Sequence, residues 1–178
     1  MNTIKKDIKK ALKATVPVLS GYMVLGFGFG LVLHSKGFGI LWAFCMSLFI
    51  YAGSMQYVAI DLLSGGASVI TMAITTFLVN ARHLFYGISM IDKYKDAGKF
   101  KPYLIFALTD ETYSLLCQKE LPVPEESHRA YCFLVSLFDH LGWVLGTLLG
   151  AAAGTLLTFS KNLFPAVRCQ AHKFTTWG

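Results

Sequence analysis

The chain has 178 residues, a formal net charge of +6 and a mean hydropathy of +0.53, with 54% hydrophobic and only 15% charged residues. Soluble domains carry about 25% charged residues, so this chain has too few polar groups to cover a wetted surface. The basic excess does not point to nucleic acid either, because its lysine blocks carry no DNA-binding pattern.

The chain opens with Lys5, Lys6, Lys9, Lys10 and Lys13, read as a short amphipathic lead-in over residues 1–13 that anchors a cytoplasmic N-terminus. The apolar stretch behind it is too long for a signal peptide and has no convincing small-x-small cleavage site. Four stretches then lack Lys, Arg, Asp and Glu: 22 residues over 14–35, 24 over 37–60, 20 over 62–81 and 21 over 140–160. At about 1.5 Å per residue, each can cross a hydrocarbon core of about 30 Å. The expected architecture is an all-α, polytopic membrane bundle over 14–159, followed by a polar tail over 160–178.

Pro17 is expected near the start of the first span, where its missing N–H is tolerated. Gly26, Gly28 and Gly30 make that helix closely packed or locally unwound. A second span is expected from about Phe38 to Ile60, interrupted at Gly53 beside Ser54 and Gln56, and a third stretch runs on to about Met90. Three full crossings would place the second lysine block (Lys93, Lys95, Lys99, Lys101) outside, against the positive-inside trend. Either that trend fails here, or one stretch is a re-entrant hairpin or broken helix, for which Gly53 makes the second a natural candidate. From Ala130 to Phe159 the apolar pattern is about 45 Å long as a helix, so a break or strong tilt is expected near Asp139.

Several groups stand out for function. Asp110 and Glu111 fall inside an apolar segment, where a carboxylate at a helix centre costs about 2.5–3.5 kcal/mol. They are expected to face a wet cavity, carry protons or cap a broken helix, unless the segment simply lies at the interface. Asn80, His83 and Tyr86 are three residues apart along one helix face, with Arg82 to the side. They can serve a substrate or a proton, or mark a helix end snorkelling to the headgroups. Gln56 is a weaker polar candidate. Asp139 with His140 is a proton pair or, somewhat better, the polar start of the last helix.

Gly142, Gly146, Gly150 and Gly154 recur every four residues and form a smooth ridge for close helix packing, matched by the shorter ridge of Gly26 and Gly30. Trp143 and most phenylalanines read as ordinary packing. The four cysteines are scattered without a CxxC pair, and no metal or cofactor motif is present. An intramembrane enzyme using Ser54 or Cys117 would need a nucleophile elbow or HExxH motif, and neither occurs.

The motifs GYMVLGFGFG at 21–30, YAGSMQY at 51–57, LLSGGAS at 62–68, NARHLFYGIS at 80–89, ALTDETYSLL at 107–116 and HLGWVLGTLLGAAAG at 140–154 follow one another as in the AzlC family, which this chain resembles over most of residues 14–158. The resemblance implies the large subunit of a bacterial inner-membrane exporter of valine, leucine and isoleucine, acting with a small AzlD-type membrane partner; coupling to protons is the mechanism expected for it. The alternative is an inactive or accessory membrane subunit. Family members continue with further apolar segments after the glycine ridge, so the tail SKNLFPAVRCQAHKFTTWG reads as a truncation or reading-frame change.

Overall fold

A computed structural model describes residues 2–163, with side chains over 5–157; the tail after Leu163 lies outside the described residues. Two long helices dominate it: α1 (Asn2–Ser35) and α8 (His128–Leu163). Their 34 and 36 residues give lengths of about 51 and 54 Å. Between them run α2 (Ile40–Phe49), α3 (Gly53–Ser64), α4 (Val69–Asn80), α5 (Arg82–Ser89), α6 (Lys101–Phe106) and α7 (Asp110–Leu116), with no strand among the described residues.

Helices α1 and α8 lie side by side and parallel. A Cβ on Gly142 would meet the Leu19 side chain, one on Gly146 would sit 2.8 Å from the Tyr22 carbonyl oxygen, one on Gly150 would strike the Phe27 backbone, and one on Gly154 would meet the His34 ring. From the other side, a Cβ on Gly26 would lie 3.0 Å from both the Thr147 nitrogen and the Trp143 carbonyl oxygen. The two glycine ridges therefore face each other, and only hydrogen at these positions lets the backbones touch.

The N-terminal lead-in is part of α1, whose buried face there is formed by Asp7, Ala11 and Thr15 at helical spacing. Pro17 consequently lies inside the helix, not at its start. Gly37 ends α1 at φ 89°, with Phe38 N–H returning to the Leu33 carbonyl, the close that a left-handed residue permits.

The stretch expected as a second span is instead a re-entrant hairpin. α2 and α3 have 10 and 12 residues, about 15 and 18 Å, so neither crosses the core alone. Between them Tyr51 sits at φ 44°, a left-handed conformation rare for an aromatic residue. Lys36, before α2, pairs with Asp61, near the end of α3, at 3.5 Å, so the hairpin returns to the end at which it entered. Gly66, at φ 64°, then turns the chain into α4, whose first turn is capped by Ser68 accepting from Thr71 N–H at 3.1 Å. α4 and α5, joined at Ala81, carry the chain back along the bundle.

α6 and α7 form a second, shorter hairpin from the opposite end. Pro102 sits in the first turn of α6, and Thr109 caps α7 by accepting from Thr112 N–H at 3.3 Å. The core divides accordingly. Ala11, Met90, Tyr94, Leu104, Leu116 and Tyr131 pack at the end holding both lysine blocks, while Phe29, Leu33, Ala43, Met46, Ile60 and Ala151 pack in the other half. Both blocks thus lie at one end of the bundle. Lys10 donates to the Pro122 carbonyl at 2.6 Å, and Lys93 to the carbonyls of Leu116 and Gln118.

Of the break or strong tilt expected near Asp139, the break is absent: α8 is continuous, and Asp139 and His140 lie within it rather than at its start. The helix tolerates them because other elements supply polar partners at that level. Around the bundle, Val24, Leu41, Phe49, Ile70, Phe77, Phe85 and Leu156 all point outward and are more than half exposed. No side chain of α4 or α5 is buried. A water-soluble domain does not display such a belt; a bilayer covers it.

Candidate functional site

The tips of the two hairpins meet against α1 and α8, midway along the bundle. Tyr51, at the first tip, has its ring 4.3 Å from that of His140 and 6.3 Å from that of Phe106 in the second hairpin. Tyr22 of α1 lies edge-on to Tyr51 and to Trp143, at 6.4 and 5.5 Å. Helices broken at this depth expose backbone that water or a ligand must satisfy.

Between the tips lies a cavity of about 300 Å³. One wall is aromatic and apolar, formed by Tyr22, Leu25, Tyr57 and Trp143. Gly53 belongs to the same wall, where a Cβ would approach the Trp143 ring to 3.3 Å. The opposite wall is charged. Arg82, at the start of α5, donates to Asp110 of α7 and to Ser54 of α3, tying together the two hairpins and the spanning helix. The Arg82 and Asp110 side chains are 42% and 34% exposed, so this pair remains accessible from the cavity. Asp110 Oδ1 is buried, with Tyr86 of α5 beside the carboxylate. Glu111 points the other way round the first turn and accepts from the Tyr22 hydroxyl at 2.8 Å. The two neighbouring carboxylates thus have separate partners, as their roughly 100° separation around a helix requires.

Of the residues singled out from sequence, Asp110, Glu111 and His83 line this cavity. Asn80 contributes only its carbonyl, which lies 3.1 Å from His83 Nδ1. Gln56 is fully buried behind the cavity, accepting from Trp143 Nε1 at 2.9 Å, and so fixes the indole that forms the wall. Asp139 is buried one step away, with Thr112 donating to it at 2.9 Å. Its neighbour His140 is held between the Tyr103 hydroxyl at 3.1 Å and the Ser47 carbonyl at 3.3 Å. Arg82, Trp143, Tyr22 and Thr109 are the lining residues that sequence reading undervalued. The signal for Arg82 was its place in an apolar run; the others carry none until α1, α7 and α8 are brought together. Ser54 is bonded to Arg82 rather than to a histidine, and Cys117 is exposed and bonded to the Ser114 carbonyl at 3.7 Å, so neither forms a nucleophile–base pair.

Spanning helices enclosing two opposed, interrupted hairpins, with charge gathered where the hairpins meet, define a polytopic helical membrane protein of the discontinuous-helix kind. The chain belongs to the AzlC family: the family model described as "AzlC protein" matches residues 17–157. It is 40% identical over 154 residues to the branched-chain amino acid transport protein AzlC of Bacillus subtilis, an alignment covering 86% of this chain and 60% of that protein. An uncharacterised membrane protein of Helicobacter pylori is 42% identical, with 91% of this chain and 71% of the relative covered. The inner membrane protein YgaZ of Escherichia coli is 30% identical over 80% of this chain and 59% of its own length. The chain thus spans about 60–70% of these relatives. No solved structure gives a significant match.

Proposed function

We propose that the chain is the large subunit of an exporter of branched-chain amino acids, binding one zwitterion in the cavity between the hairpin tips. The observation that carries this reading is the Arg82–Asp110 pair, partly exposed in a cavity whose other wall is aromatic. A free amino acid carries one anionic group, one cationic group and a side chain, and the cavity offers a counterpart for each. Its carboxylate takes Arg82, supported by the first N–H groups of α3, which have no partner within their own helix. Its ammonium takes the part of the Asp110 carboxylate that stays exposed to the cavity, with Glu111 close by. An apolar side chain of valine, leucine or isoleucine rests against Leu25, Tyr57 and Trp143. Inserting the zwitterion exchanges one ion pair for two, so no charge is left bare in a low-dielectric site. The volume lies at the small end of the ~300–1,000 Å³ typical of ligand pockets, suiting a single amino acid over a peptide.

The name carried by the Bacillus relative supports the substrate class. Both lysine blocks lying at one end of the bundle support a cytoplasmic placement of that end, and with it a cytoplasmic N-terminus in a bacterial inner membrane. The unit is completed by a small AzlD-type membrane partner, and export is proton-driven. One charge crossing 100 mV supplies about 2.3 kcal/mol, enough for roughly a fiftyfold gradient. The test is efflux under excess valine. Cells expressing the chain with its partner should hold less intracellular valine than controls, and equal retention overturns the assignment.

A further inference from the structure

Asp139 has no place in the binding scheme above, yet it is fully buried in the bundle and joined to the cavity by an unbroken run of hydroxyls. Its Oδ2 accepts from Thr112 Oγ1 at 2.9 Å, and Thr112 Oγ1 lies 3.2 Å from Thr109 Oγ1. Thr109 Oγ1 is 2.7 Å from the Tyr22 hydroxyl, which is 2.8 Å from Glu111 Oε2 at the cavity wall. Three helices contribute to this run: Tyr22 from α1, Thr112 and Glu111 from α7 with its cap Thr109, and Asp139 from α8.

The run is one proton short when both of its carboxyls are ionised. There are four oxygen–oxygen links, each closed by one proton when it is a hydrogen bond, and the three hydroxyls supply one apiece, with the Tyr51 hydroxyl a further neighbour of Tyr22 outside the run. With both carboxyls ionised, one link holds no proton and sets two acceptors against each other at 3.2 Å or less. A proton on either carboxyl completes the run. If Glu111 holds it, the bonds are donated in order from Glu111 through Tyr22, Thr109 and Thr112 to Asp139; if Asp139 holds it, all four reverse.

We propose that Glu111 and Asp139 share one proton through Tyr22, Thr109 and Thr112, and that Asp139 stores it inside the bundle while substrate occupies the cavity. In the transfer each hydroxyl gives up its own proton and takes its neighbour's. Four O–H bonds break and four form, one proton moves from carboxyl to carboxyl, and the hydroxyls end unchanged. An ammonium group arriving beside Glu111 draws negative charge to the cavity end of the run, and the proton then resides on Asp139. The groups facing Asp139 are Thr112 and Glu111 of α7, Tyr51 at the first hairpin tip and Tyr103 of α6, with His140 adjacent on α8. Glu111 is faced by Tyr22 and Tyr51, with Asp110 beside it in the first turn of α7 and Arg82 on the same cavity.

The use of this proton in coupling rests on the transport reading; its sharing does not, and two experiments keep them apart. In proteoliposomes holding the chain with its small partner, leucine counterflow reports substrate passage without a proton gradient, and leucine accumulation under an imposed pH gradient reports coupling. Thr112→Val removes one link at constant size. It should keep counterflow within about twofold and lose gradient-driven accumulation at least tenfold, while Thr112→Ser restores it. Gradient-driven accumulation by Thr112→Val equal to wild type overturns the relay, whereas wild-type proteoliposomes without counterflow overturn the transport reading alone. Infrared spectroscopy of the purified chain then decides the sharing. The protonated-carboxyl band should diminish in Asp139→Asn and in Glu111→Gln, because an amide N–H then supplies the fourth proton. A band unchanged in both variants overturns the shared proton.

Discussion

Arg82 shows how much one residue can depend on its surroundings. In an apolar helix, a guanidinium costs about as much as any side chain can, unless donors and charge are matched. Asp110 and Ser54 match them here, one from each hairpin. Trp143 depends on its surroundings in another way: beside a glycine ridge it reads as packing, yet Gln56 fixes its indole N–H so that its ring forms a cavity wall. The glycines permit a direct comparison at the same scale. Gly150 faces the Phe27 backbone, whereas Gly21 has nothing within 4 Å of the position a Cβ would take. Gly150→Ala should cost about 1–3 kcal/mol, the usual range for overpacking, and lower the melting temperature in detergent. Gly21→Ala should be neutral or stabilising by up to about 1 kcal/mol, as expected for removing a helical glycine. Equal melting of the two variants would remove close α1–α8 packing from the account.

At the scale of elements, long charge-free runs identify α1 and the last helix well, because crossing a bilayer requires length and apolarity, both visible in sequence. Interruptions are harder to read. Gly53 marks the first break to within two or three residues of Tyr51, since a glycine beside polar residues is an obvious weak point. The second break leaves only Thr109 followed by two acids, which equally describes a helix lying at the interface. Asp139 and His140 look like a helix start because a polar pair in an apolar run needs an explanation. The true one, Thr112 on another helix, lies 27 residues away and has no local trace. Pro17 misleads for a related reason: a long, well-packed helix survives the loss of one hydrogen bond, so the residue does not mark its start. The hairpin reading carries its own test. Single cysteines placed in an otherwise cysteine-free chain at positions 6 and 95 should react with an impermeant thiol reagent from the same side of the membrane, and one at position 66 from the other. Positions 6 and 95 reacting from opposite sides would mean that α2 and α3 together cross, and the hairpin would be wrong.

For the whole molecule, α1 and α8 run parallel, so the chain must return between them, and α4 with α5 makes that return. The hairpins fill the gaps left at opposite ends, and their tips bring Tyr51, Ser54, Thr109 and Asp110 to the one level where the spanning helices offer Tyr22, Arg82 and Trp143. The proposed binding site lies half-way along the bundle, because only there do both hairpins and the return helix contribute. Ligand that binds the folded chain should also stabilise it, by about 2.7 kcal/mol at a hundredfold excess over Kd. The most direct measurement is a titration of purified chain with leucine, wild type against Arg82→Ala, followed by melting temperature at each concentration. The account predicts a saturable upward shift in the wild type and at least a tenfold weaker response, about 1.4 kcal/mol, in Arg82→Ala. An identical leucine response in the two proteins would contradict it, placing the substrate somewhere other than between the hairpin tips.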